Sequence, residues 1–191
     1  MKKLLPAALL AALALFLWGF LSHTVFGWHM AHYTPLKDEA AVAKVLLENL
    51  PKDGMVRLPG LKNPDGMERS MDEWERISET VPYFEGMWLS KGMPMAMGKR
   101  MALNFALNFV IALLIGMMFL NLPGLGLKCR LRLGAMLGLI VWLMSWGPMF
   151  VWFDLPAVHI LPYLVDYIVG GLLCGLILGK LLPPGRSRCD S

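Results

Sequence analysis

Four stretches of this chain stay apolar long enough to cross a bilayer core, which needs about 20 mostly apolar residues each: residues 4–26, 101–122, 133–153 and 158–182. Between the first and second the pattern changes. Residues 28–100 mix short apolar runs with charged ones, and turn chemistry at Pro51-Lys52-Asp53-Gly54 and Asn63-Pro64-Asp65-Gly66 divides them. Thr34-Pro35 predicts the opening of a helix over 35–50, with Val42, Val45, Leu46 and Leu50 on one face. Residues 55–58 predict a short strand, Met67, Met71, Trp74 and Ile77 a second amphipathic helix, and residues 83–89 a second strand with a bulge at Gly86. The expected fold is an all-α membrane protein. It is a four-transmembrane-helix bundle carrying a small α+β extracytoplasmic insertion between helices 1 and 2, with residues 183–191 as a cytoplasmic tail.

The first stretch also has the charged head and apolar body of a signal peptide. Trp18, Phe20 and His23 stand where a cleavage site needs small residues, so an uncleaved spanning helix is expected. Glycines give the spans a packing code: Gly171, Gly175 and Gly179 share one face of the fourth span, and Gly134 and Gly138 one face of the third. Such faces let backbones approach closely, within the chain or between copies, and packing within the chain is the simpler reading.

Composition agrees with this pattern, since 57% of the 191 residues are hydrophobic and only 17% charged. Charge then adds orientation. Lys2 and Lys3 precede the first span, Lys128, Arg130 and Arg132 fill the link between the second and third, and Lys180, Arg186 and Arg188 follow the fourth. If the spans alternate, all lie on one side, which places both termini in the cytoplasm of a multi-pass inner-membrane protein. The formal net charge of +4 is thereby a topology signal, which leaves nucleic acid without support as a partner. The expected partners are the lipid bilayer and other membrane-protein subunits or a second copy. Cys129 and Cys189 fall on the cytoplasmic side and Cys174 inside the fourth span, so no cysteine framework is expected outside.

Asp166 is the carboxylate inside the fourth span, where a charge at the helix centre costs roughly 2.5–3.5 kcal/mol on insertion scales. Counting depth along each span puts Asn104 and Asn108 of the second, Ser22 and His23 of the first, and Ser145 and Trp146 of the third at a similar height. These residues form an expected intramembrane polar layer. A hydrated proton-accessible pocket and a hydrogen-bonded lock both fit; the lock is preferred, because no second intramembrane carboxylate or arginine extends a relay. The depth of Asp166 depends on whether its helix begins before or after Pro162.

His23, His29, His32 and His159 all fall at or outside the outer interface, and His29-x-x-His32 can place two imidazoles on one helical face. Met93, Met95 and Met97 alternate just before the second span, where an extended segment would aim soft thioethers to one side. These six residues, His29, His32, His159, Met93, Met95 and Met97, define a candidate metal site, with copper the metal that thioethers favour. The competing reading is that methionine, fifteen in all, fills packed surfaces here. No nucleophile elbow, phosphate loop, metalloprotease or haem-attachment motif is present, so the expectation is a non-enzymatic chain with no cofactor. An accessory, assembly or scaffold role is expected first, and metal-ion or proton binding or transport second.

Trp18-Gly19, Trp28-His29-Met30, the glycine and proline pattern over 53–59, and Asp166 within residues 165–170 occur together. In these features the chain resembles a group of uncharacterised bacterial four-helix inner-membrane proteins with one extracytoplasmic insertion. The resemblance implies the architecture and a bacterial origin, and assigns no activity or residue roles.

Overall fold

The computed structural model describes residues 2–63, 65–94, 96–122 and 124–183. Met95 and the tail residues 184–191 lie outside the described residues. The chain divides into two compact units, residues 1–34 with 96–191, and residues 35–95.

The first unit holds four helices long and apolar enough to cross a membrane: α1, Leu4–Phe20, continued by a π-helical turn over Leu21–Val25; α4, Met97–Asn121; α5, Leu127–Phe153; and α6, Ala157–Leu181. The helices extend past the apolar stretches. α4 starts at residue 97 and takes in Lys99 and Arg100, and α5 starts at residue 127 and takes in Lys128, Arg130 and Arg132. Backbone hydrogen bonding continues through basic residues that an apolarity criterion leaves out. α6 begins at Ala157 and runs through Pro162, so Asp166 is nine residues, about 13 Å, into it.

The packing is uneven. α1 lies against α4 and α6, α4 meets α6 lightly, and the principal contacts of α5 are with α6. Leu4, Ala7, Ala8, Ala11 and Ala12 line the buried face of α1 and pack with Ala112 and Phe119 of α4 and Cys174 and Leu178 of α6. Glycine explains the tightness of the α5–α6 pair. A Cβ at Gly134 would sit 2.1 Å from the Gly171 carbonyl oxygen, and one at Gly138 2.1 Å from that of Tyr167. Gly175 faces the Arg130 carbonyl and Gly179 the side chains of Leu127 and Arg130. These glycine faces are therefore filled from within the chain. At the same end, the buried Arg130 guanidinium donates to the carbonyls of Gly179, Leu182 and Pro183 at 3.3, 3.4 and 2.8 Å, satisfying acceptors that the end of α6 leaves open.

In the second unit the order helix, strand, helix, strand matches the sequence pattern, with shifted bounds: α2 Glu39–Asn49, β1 Gly54–Leu58, α3 Met71–Ser78 and β2 Phe84–Trp88. Asp38 displaces Thr34 as the start of α2, because its carboxylate accepts the Ala41 N–H at 2.9 Å. Ser70 caps α3 through Glu73 N–H. β1 and β2 pair antiparallel in unbroken register from Gly54↔Trp88 to Leu58↔Phe84. The expected bulge at Gly86 is absent; glycine is accommodated there because the Phe84 ring lies over it, 3.1 Å from where a Cβ would stand. Arg57 bridges the strands to Glu85 at 2.8 Å, and Asp53 accepts both the N–H and the hydroxyl of Ser90.

Candidate functional site

The face of α1 that packs inward follows steps of four and three: Leu4, Ala8, Ala11, Leu15, Trp18, Ser22. α6 runs antiparallel beside it, with Leu15 against Gly170 and, one turn earlier on α6, Trp18 and Ser22 against Asp166. The apolar seam thus ends in a polar one. Trp18 Nε1 donates to Asp166 Oδ1 at 3.1 Å and Ser22 Oγ donates to the same oxygen at 2.6 Å.

The π turn redirects the chain at the C-terminal end of α1. His23 Nδ1 bonds the Gly19 carbonyl at 3.1 Å and Thr24 Oγ1 the Phe20 carbonyl at 2.5 Å, so side chains take up acceptors of the last α-helical turn. The backbone then bonds five residues apart, Phe26 N–H to Leu21 carbonyl. Such competition for carbonyls and such π turns recur at functional positions. Residues 28–32 form turns, and these bring His29 back over the end of α1.

His29 is 5% exposed, and its Nε2 lies 2.9 Å from Asp166 Oδ2 and 3.0 Å from Ser22 Oγ. His23 Nδ1 lies 4.0 Å from the same Oδ2, and the two imidazoles stack 4.0 Å apart with 12° between their planes. Trp28 Nε1 donates to Ser22 Oγ at 2.9 Å, and the Tyr163 ring closes on His29 edge-on at 4.5 Å. One ligand-capable atom from each of His23, His29 and Asp166 lies within 4.8 Å of the other two.

The chemistry depends on which groups face one another. The Asp166 side chain, 12% exposed, accepts from an indole, a hydroxyl and an imidazole, so three donors engage its two oxygens. Ser22 gives its proton to Asp166 and accepts from Trp28, which exhausts its donor. Serine, histidine and aspartate meet here, yet both partners face the same nitrogen of His29, and its Nδ1 is buried with no hydrogen-bond partner. A relay triad needs the two ring nitrogens to serve the two partners separately. Burial pushes the His29 imidazole below its ordinary range, the neighbouring His23 adds to this, and Asp166 opposes it. Two imidazole nitrogens next to a carboxylate form an N₂O donor set suited to borderline divalent transition metals.

The expected polar layer is only partly assembled. Asp166, Ser22 and His23 meet. Ser145 instead bonds back to Val141 and Trp142 carbonyls on its own helix and is exposed. Trp146 donates to Tyr167 Oη at 3.4 Å and stacks on Tyr163 at 4.1 Å, which places it behind the site. Asn104 is exposed, Asn108 is half-buried, and no hydrogen bond reaches either amide among the described residues. Equal depth does not bring these residues together, because α4 packs mainly on α1 and α5 on α6.

The histidine and methionine set separates likewise. His29 joins His23, while His32 is exposed in the turn and His159 contacts the rings of Tyr33, Trp146 and Tyr163. Met93 is exposed and Met97 opens α4, so the alternating extended run does not continue through residue 97. Trp18, Trp28 and the pairing of His29 with Asp166 are what sequence reasoning missed; the four-three seam of α1, extended to Trp18, is the signal that points to the first of these contacts. Searches among known protein families, curated proteins and solved structures give no match to this chain.

Proposed function

We propose that this chain is a non-enzymatic bacterial inner-membrane protein that binds a divalent transition-metal ion at the outer end of its helices, through His23, His29 and Asp166. The observation that carries this reading is that one ligand-capable atom from each of the three residues lies within 4.8 Å of the others, with His29 Nε2 2.9 Å and His23 Nδ1 4.0 Å from the same carboxylate oxygen. With an ion bound, His29 Nε2 and His23 Nδ1 would be the nitrogen ligands, the His29 ring proton would sit on Nδ1, and His23 would give up its bond to the Gly19 carbonyl. Trp18 and Ser22 then hold the carboxylate in place, as outer partners of metal ligands do. Nitrogen and oxygen donors favour zinc, cobalt, nickel or cupric ions over cuprous copper.

Equilibrium dialysis of the purified chain against Zn²⁺ and Co²⁺, with metal counted by mass spectrometry, tests this. One ion per chain is expected, lost in His23→Ala, His29→Ala and Asp166→Asn and kept in His32→Ala and His159→Ala. No stoichiometric ion, or equal loss in all five variants, would sink it. A second reading, an accessory subunit in which the cluster only locks α1 to α6, is favoured by the donors that Asp166 already has within the chain. Membrane subunits co-purifying with a metal-free chain would establish that alternative.

A further inference from the structure

Asn108 stands next to the middle of α4, about 16 Å from its first residue, and Asn104 is one turn nearer that end. Neither amide finds a hydrogen-bond partner among the described residues, and neither is sealed in the core. The core face of α4 is formed by Phe105, Phe109, Ala112 and Phe119, which turns the two amides to its flank. Next to them Leu107, Ile111 and Leu114 are 63, 47 and 56% exposed. Asn104, Leu107, Ile111 and Leu114 recur at steps of three and four, the spacing of the seam along which two helices wind left-handed around each other. A polar residue in such a seam sets register and partner number, and in lipid an asparagine satisfies itself across a helix interface.

We propose that α4 is the dimerisation helix of this protein, pairing in parallel with α4 of a second copy through Asn104 and Asn108. The choice of a second copy follows from the chemistry of the amide. It carries donors and an acceptor together, so it is its own complement. Two copies with the same orientation in a bilayer relate by a two-fold axis along the membrane normal, and that axis brings each asparagine to its equivalent at the same depth. A foreign helix would need its own polar groups at both heights. The glycine faces are already used between α5 and α6, so they do not compete for this role. This inference stands apart from the metal site, which uses α1 and α6.

Full-length protein in nanodiscs, carrying a benzoylphenylalanine photo-crosslinker at position 111 or at position 106 as control, tests it. Position 111 is expected to give a crosslink between two copies and position 106, on the side of α4 away from the seam, is not. The double variant N104L/N108L is expected to weaken dimerisation about 10-fold, as loss of interhelical amide bonds implies. N104Q/N108Q keeps the amides and is expected to keep the dimer, which separates a pairing defect from a folding defect. A monomeric wild type, equal crosslinking from both positions, a crosslink to another protein, or full dimerisation in N104L/N108L would each overturn the proposal.

Discussion

At the scale of single residues, Asp166 is both the anchor between α1 and α6 and a proposed ligand, and substitutions separate these roles. Asp166→Leu removes the shared acceptor of Trp18, Ser22 and His29, leaving Ser22 and His29 only each other, at a cost of about 1–3 kcal/mol for each donor left unsatisfied. Asp166→Asn retains one acceptor oxygen, so it is expected to fold with roughly half that loss, yet to lose the ion. Chemical unfolding of the purified variants, followed by tryptophan emission, reads the first quantity and metal content the second. Trp18→Phe removes one donor to a charged acceptor, worth about 1.5–3 kcal/mol, while leaving all three ligands. It is expected to lower stability and preserve stoichiometric binding; loss of the ion with unchanged stability would reverse the assignment.

At the scale of elements, α5 and α6 owe their contact to glycine. Gly138→Ala pushes a methyl into the Tyr167 carbonyl and is expected to destabilise by about 1–3 kcal/mol, whereas Gly147→Ala, with nothing within 4 Å, should be near neutral. Resistance of the purified chain to detergent unfolding compares the two. The hairpin of β1 and β2 offers a pH prediction. Tyr83 donating to Glu85, with Arg57 adding, holds the Glu85 carboxyl below its usual range, and Ser90 does the same for Asp53. A carboxyl lowered in the folded state binds its proton more readily once unfolded. Its stabilising effect is therefore complete above the ordinary carboxylate range, near pH 4.5 and 3.8 respectively, and is lost as pH falls below it. Hydrogen exchange of peptides covering 54–58 should speed up below pH 4.5 beyond the intrinsic rate and remain protected at pH 6; protection unchanged down to pH 3 would contradict this.

The same scale shows what could be read from the sequence. Length and apolarity located all four long helices, since a helix must satisfy its own backbone and a span needs some twenty residues. The helices themselves run beyond the apolar stretches where Lys99, Arg100 and Arg130 continue them. Depth counting gave the height of Asp166 but not its neighbours. Asn108 and Ser145 sit at comparable heights on helices that face elsewhere, and neither height nor hydropathy reports the direction a side chain takes. His29 escaped for another reason: its place depends on a π turn and a reversal at residues 26–30, which local side-chain competition sets and periodicity does not.

At the scale of the whole molecule, the basic residues at one end of the helices set the proposed orientation. A reporter fused after Ser191 should be active only in the cytoplasm, and one inserted at Asp65 only outside; the reverse pattern would invert the membrane assignment. The Asp166 network then has a consequence for biosynthesis. Trp18 and Asp166 are 148 residues apart, which a ribosome covers in about 7–30 s. During that interval α1 exists without α6, and its indole and hydroxyl await their acceptor. The α1–α6 anchor therefore forms only after synthesis has passed residue 166, and a product stopped before residue 157 leaves Trp18 and Ser22 without the acceptor that the full chain supplies.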